Sequence, residues 1–220
     1  MSENVMHVYM MPGMAANPAI FENIVLPEDQ FKVHWLEWMV PVKGELLSDY
    51  AKRMCEKIEH ENIGLIGVSF GGILVQEMEK YISVKKLIVV SSVKSMHDLP
   101  RRMRIARATS LHKLLPTGLA SNIDILAKFA FGDFAAKRVE LYKKFLSVSD
   151  KYYLDWSIDQ VVNWDQAEPN PRAIYIHGTK DEIFTHTCDD SCINIEDGTH
   201  IMIINRFKWF NENLPKLLLD

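Results

Sequence analysis

The stretch Ile63-Gly64-Leu65-Ile66-Gly67-Val68-Ser69-Phe70-Gly71-Gly72-Ile73-Leu74-Val75 decides the fold class. A short apolar run meets a sharp turn and continues as apolar residues through Met78, which predicts strand, turn and helix in immediate succession. Ser69 lies in Gly67-x-Ser69-x-Gly71, a G-x-S-x-G pattern that puts a serine on a strained strand-to-helix turn. Such an elbow brings two backbones together, so a Cβ at Gly67 or Gly71 is expected to clash. The helix N-terminus adds backbone N–H groups and a positive dipole near Ser69 Oγ. Alone, the five-residue pattern also fits a glycine-rich turn with a buried capping serine. The strand and helix on either side argue for a nucleophile.

Other apolar runs bounded by turn residues occur at Val5 to Met11, Phe31 to Trp35, Leu87 to Ser91, Ala173 to His177 and Cys192 to Ile195, and read as strands buried on both faces. Between Phe31–Trp35 and the elbow, Leu47, Tyr50, Ala51, Met54 and Ile58 repeat at helical spacing. Alternating strand and helix imply right-handed crossovers and a mostly parallel sheet of about six strands flanked by helices, the α/β class. The alternation lapses from Val93 to Pro171, where helix-like stretches run through Leu111 to Leu115, Ile123 to Phe131 and Val139 to Val148. Residues 93–171 therefore read as an insertion within one domain spanning 1–220, with Tyr152, Tyr153, Trp156 and Trp164 gathered in its last third. A final helix is expected from about Ile203 to Leu218, bent or ended near Pro215.

A serine hydroxyl needs a base, and the base needs an acidic partner to hold its tautomer. After the elbow, Ala173–His177 leads into Gly178-Thr179-Lys180-Asp181-Glu182, and Cys192–Ile195 leads into Glu196-Asp197-Gly198-Thr199-His200. Both turns follow the carboxyl ends of expected strands, the edge where open α/β sheets build their sites. With its elbow, its His177-Gly178-Thr179-Lys180-Asp181 turn and its Gly198-Thr199-His200 turn in that order, the chain resembles a small member of the α/β-hydrolase superfamily over most of its length. The resemblance implies Ser69 as nucleophile, Asp181 as acid and His200 as base, and a helical cap for residues 93–171. Glu182 and Asp165 compete for the acid role, and the remaining histidines read as surface or core residues.

Acyl chemistry also needs two donors for the developing oxyanion. The N–H of Phe70, which follows the nucleophile, is one. The second is expected from Met11-Pro12-Gly13-Met14-Ala15, which resembles the family's His-Gly-x turn with Pro12 in place of the histidine, and Met14 N–H is the candidate. No metal is expected, because His186, Cys188 and Cys192 lack the four-ligand pattern of a structural zinc site. No cofactor is expected either, since neither G-x-G-x-x-G nor a Walker-type loop follows any strand.

The 220 residues are 48% hydrophobic and 25% charged, the composition of a globular domain large enough for its own core. A formal charge of −4 lacks the basic excess of a nucleic-acid binder. Cys55, Cys188 and Cys192 read as thiols of a reducing compartment, and the amino terminus is too short and polar for a signal peptide or a membrane span, so a cytoplasmic protein is expected. Between Lys94 and Lys113, Arg101, Arg102, Arg104 and Arg107 contribute to six basic residues against the single acid Asp98, which suits either a solvated helix face or recruitment of an anionic acyl carrier. Arg101, Arg104 and Arg107 fall on one helical face and Arg102 about 100° away. The function expected is hydrolysis of a small acyl ester or thioester through an acyl-enzyme. Carbon–carbon or amide hydrolysis, cofactor-free peroxidation and a non-catalytic binding protein are the alternatives on this fold. The acyl group, leaving group and oligomeric state are not written in the sequence.

Overall fold

The structure, a computed structural model, describes residues 5–114, 144–146, 150–185, 188 and 191–220. Six strands, β1 (Met6–Met11), β2 (Phe31–Trp35), β3 (Ile63–Val68), β4 (Lys86–Val90), β5 (Ala173–Gly178) and β6 (Cys192–Ile195), form one open sheet in the order β2-β1-β3-β4-β5-β6. Every adjacent pair is parallel. The strands coincide with the apolar runs because a parallel strand covered on both faces has no polar side to display.

Alternation along each strand sorts the core into two layers. Tyr9, Met11, Leu65, Leu87, Val89 and Tyr175 face one layer, which packs under α1 (Leu47–Cys55), α2 (Phe70–Met78) and a later helix, α4 (Lys151–Asn163). Met6, Val8, Met10, Ile66, Val68, Ile88 and Val90 face the other, against the short helix α5 (Met202–Asn205) and the terminal α6 (Phe207–Leu219). Because β1 lies between β2 and β3, the chain leaves β1 toward one edge and returns to the other side of it. That switch opens a crevice at the carboxyl ends of β1 and β3.

The terminal helix departs from expectation. Its break falls at Arg206, between α5 and α6, and α6 runs through Pro215 to Leu219. Leu214 and Leu218, both fully buried, pin the turns on either side of the proline and outweigh its missing N–H. The cysteine reading is also corrected: Cys188 and Cys192 form a disulfide and only Cys55 is a free thiol, so the argument from thiols to a reducing compartment falls away. Among the described residues no helix is long and apolar enough to cross a membrane. Within residues 93–171 the described segments include α3 (Arg101–Thr109) and α4 but no strand, while the helix-like stretches at Ile123 to Phe131 and most of Val139 to Val148 lie outside the described residues.

Candidate active site

Ser69 ends β3 and caps α2 with φ 55° and ψ −122°, a conformation that L-residues rarely adopt. The elbow is held from both sides: Ser69 N–H donates to Val90 O at 2.9 Å, and Ser92 Oγ donates to Ser69 O at 2.7 Å. Its tightness explains the glycines. A Cβ on Gly67 would overlap the Gly71 carbonyl and approach Val75 Cγ2 to 2.6 Å, and a Cβ on Gly71 would overlap the Pro12 carbonyl.

A second pair of glycines joins the other two loops. The turn after β5 crosses the turn after β6 where Gly178 meets Gly198, so closely that a Cβ on Gly198 would lie 2.9 Å from Gly178 Cα. Thr179 N–H donates to Ile195 O at 3.0 Å and Lys180 N–H to Gly198 O at 2.8 Å, locking the crossing. Asp181 and His200 meet as a result. His200 Nδ1 lies 2.9 Å from Asp181 Oδ2 and 3.1 Å from Oδ1, and His200 Nε2 lies 2.9 Å from Ser69 Oγ. An ionised carboxylate only accepts, so the ring proton belongs on Nδ1, leaving the Nε2 lone pair on the serine hydroxyl.

Asp181 and His200 are buried, and Asp181 Oδ1 also accepts from the Ile183 and Phe184 N–H groups at 2.9 and 3.0 Å. Burial works against ionising Asp181, but the charge and hydrogen bond of His200, with His177 and the Ile183 N–H, outweigh it and hold the carboxyl below its ordinary value. The competing acids Glu182 and Asp165 are exposed, and the carboxylate hydrogen-bonded to His200 is that of Asp181.

Comparison with solved structures places the fold. An enol-lactonase from Burkholderia xenovorans LB400 matches 99% of the chain over 92% of its own length, with a TM-score of 0.73 at 13% identity. A hydrolase from Oleispira antarctica matches 100% over 92%, with a TM-score of 0.72 at 14% identity, and a bromoperoxidase from Bacillus anthracis 100% over 93%, with 0.68 at 16%. The chain has the α/β-hydrolase fold. No family model matches the sequence, and no curated protein matches it.

In this α/β-hydrolase fold the loop after β1 is fixed by contacts that the sequence pattern does not reveal. Trp38 Nε1 donates to Gly13 O at 2.7 Å, and Ala15 N–H donates to Tyr153 Oη at 3.2 Å. Trp38 also stacks on the Phe70 ring at 4.8 Å, so one indole ties the two loops that carry Met14 and Phe70. Gly13 packs against Ser69, a Cβ there falling 3.4 Å from Ser69 Cβ. The aromatic residues of α4 and its C-cap lie behind the elbow: Tyr153 holds the β1 loop, Trp156 meets the edge of Phe70, and the C-cap Trp164 Nε1 donates to the buried Glu77 at 2.8 Å.

Ser69, Met14, Phe70 and His200 open onto a cavity of about 610 Å³. Its remaining wall is mostly aliphatic, including Met103, Ile158, Val162 and Ile204, with Arg102 and His112 as its other charged or titratable side chains among the described residues. Arg102 reaches this wall and donates to Ile183 O at 3.1 Å, whereas Arg107 turns away to Trp164 O at 3.2 Å. Thus the arginine on the cavity is the one off the common helical face. His112 bridges Asp159 at 2.8 Å and Ala106 O. His177 is buried with Nε2 2.9 Å from Phe184 O and 3.6 Å from Asp181 Oδ2, a supporting position missed in the sequence although it opens the acid turn.

Proposed function

We propose that the protein is a serine hydrolase that cleaves a carboxylic ester or thioester with an apolar acyl group. The observation that carries this reading is the continuous hydrogen-bonded line from Asp181 through His200 to Ser69 Oγ, the last step 2.9 Å long.

Asp181 stabilises the Nδ1–H tautomer of His200, and Nε2 takes the Ser69 proton as Oγ attacks the acyl carbon. Phe70 N–H, in the first turn of α2 where no helical carbonyl serves it, and Met14 N–H donate to the carbonyl oxygen as negative charge develops on it. The tetrahedral adduct collapses as His200 returns its proton to the leaving alcohol or thiol. Water, deprotonated by His200 in the same manner, then attacks the acyl-serine, and the acid departs with Ser69 regenerated. These steps call on the chain's own residues throughout.

The aliphatic wall suits an acyl chain, each methylene of which gains about 0.8 kcal/mol on leaving water. A volume of about 610 Å³ lies within the range of small-molecule pockets. The test combines labelling with turnover. An organophosphonate is expected to add one mass increment on Ser69, and p-nitrophenyl esters and acyl thioesters are expected to be hydrolysed, with both signals lost in Ser69→Ala. A label on another serine, or full turnover in Ser69→Ala, overturns the reading.

A further inference from the structure

Far from the elbow, three histidines that the triad does not use come together from distant parts of the chain. His7 stands in β1, His34 in β2, and His60 just before β3. Each is half-buried, and each offers a ring nitrogen within 4.8 Å of a ring nitrogen of the other two. We propose that His7, His34 and His60 form a tridentate site for a divalent transition-metal ion of the zinc type.

Sheet geometry makes the juxtaposition firm. Tyr9 pairs with His34 across β1 and β2, so His34 shares a face of the sheet with Tyr9 and, by strand alternation, with His7. His7 is paired with Ile63, the first residue of β3, which brings the preceding segment with His60 over the same face. His7 Nδ1 and His34 Nε2 already lie 2.8 Å apart. Around a tetrahedral ion with metal–nitrogen bonds of about 2.0–2.1 Å, ligand nitrogens stand roughly 3.3 Å from one another. The set therefore has to adjust by about an ångström or so, which ring rotation supplies. His7 and His60 are stacked with centroids 3.5 Å apart and planes 13° from parallel, so the His60 ring has to turn about its Cβ–Cγ bond to aim at a common point.

The outer contacts are those that ligating imidazoles use. Tyr9 Oη lies 2.6 Å from His60 Nδ1 and accepts the Glu59 N–H at 3.2 Å. Coordination through His60 Nε2 puts its proton on Nδ1, where it donates to Tyr9 Oη, the kind of second contact that orients a metal-bound histidine. The proton now shared between His7 Nδ1 and His34 Nε2 moves to the outer nitrogen of the ring that donates it, while the accepting ring already carries its own proton on its outer nitrogen, so two neutral imidazoles bind without net proton loss. Three imidazoles favour zinc, copper or nickel over calcium or magnesium. Burial is the largest cause that keeps both His7 and His34 below the ordinary histidine value; the charges of His60, His34 and Lys32 add to it at His7, and those of His60 and Lys32 at His34, where Glu59 works against them. The neutral ring is the ligating form.

The site lies six residues back along β3 from Ser69, about 20 Å at strand rise, so its ion does not touch the triad. Such an ion would clamp β1, β2 and the entry to β3 together, a structural role.

The test uses the full chain, free of any affinity tag and stripped with a chelator. Titration with zinc chloride in a calorimeter is expected to show one ion per chain with micromolar or tighter affinity, a rise in Tm, and, with cobalt(II) in place of zinc, the intense visible bands of a tetrahedral nitrogen site. His34→Gln and His60→Gln, checked for fold by circular dichroism, are expected to weaken binding by about tenfold or more. His200→Gln is expected to bind as the parent does. Because a ligand variant can lose its fold, cobalt(II) broadening of histidine ring signals is also read in the unmodified protein. Broadening of three ring systems other than that of His200 supports the site. Absence of uptake in the unmodified protein, or uptake unaffected by both substitutions, or broadening centred on His200, overturns it.

Discussion

Replacing Asp181 with asparagine tests the link between loop geometry and chemistry. The side chains have the same shape, and Oδ1 is anchored by the Ile183 and Phe184 N–H groups at 2.9 and 3.0 Å. In the variant those donors keep the amide oxygen where it is, which turns the amide NH2 toward His200 Nδ1, now 2.9 Å from Asp181 Oδ2. Two donors cannot face each other, so the ring proton moves to Nε2 and occupies the lone pair that should receive the Ser69 proton. The cost expected for a triad base in the wrong tautomer is about 10⁴-fold in kcat, or about 5 kcal/mol of transition-state stabilisation. The assay is kcat and KM on a p-nitrophenyl ester, with a circular dichroism melt to show that the fold persists through the retained backbone contacts. A variant within tenfold of the parent, or equivalent losses in Glu182→Gln or Asp165→Asn, refutes the reasoning.

Other outcomes follow from the cavity, the buried acid and the cysteines. Lengthening the acyl chain of a p-nitrophenyl ester should raise kcat/KM by up to about fourfold per methylene until the cavity is full, and Val162→Trp, which narrows it, should move the optimum to shorter chains; a flat series would remove the cavity from the acyl group. Because the folded Asp181 carboxyl titrates below its unfolded value, its contribution to stability is fully present above about pH 4 and is lost as pH falls through the folded value. Urea melts of the parent and Asp181→Asn should therefore converge on acidification, and a gap that widens would reverse the sign. Burial pushes the Cys55 thiol up to about 11, so alkylation of the native protein at neutral pH should be slow. Denatured, unreduced chain should titrate as one thiol and reduced chain as three, whereas three without reduction would dispute the Cys188–Cys192 bridge.

The sequence by itself determined the parallel sheet, the elbow and the chain order of the three polar residues, because each is a local property. A strand buried on both faces must be apolar throughout, and a backbone crossing such as that of Gly67 with Gly71 admits no Cβ. Only the tertiary structure decided which acid meets His200: Asp181 and Glu182 are neighbours in sequence, and the Gly178–Gly198 crossing turns one inward and leaves the other exposed. Packing likewise overrode the local signal at Pro215, where Leu214 and Leu218 hold the helix together. The Trp38 contact to Gly13, the turn of Arg102 onto the cavity, and the meeting of His7, His34 and His60 depend on strand register and order. Those contacts join residues tens of positions apart, and periodicity within one segment carries no record of which segment will lie beside it.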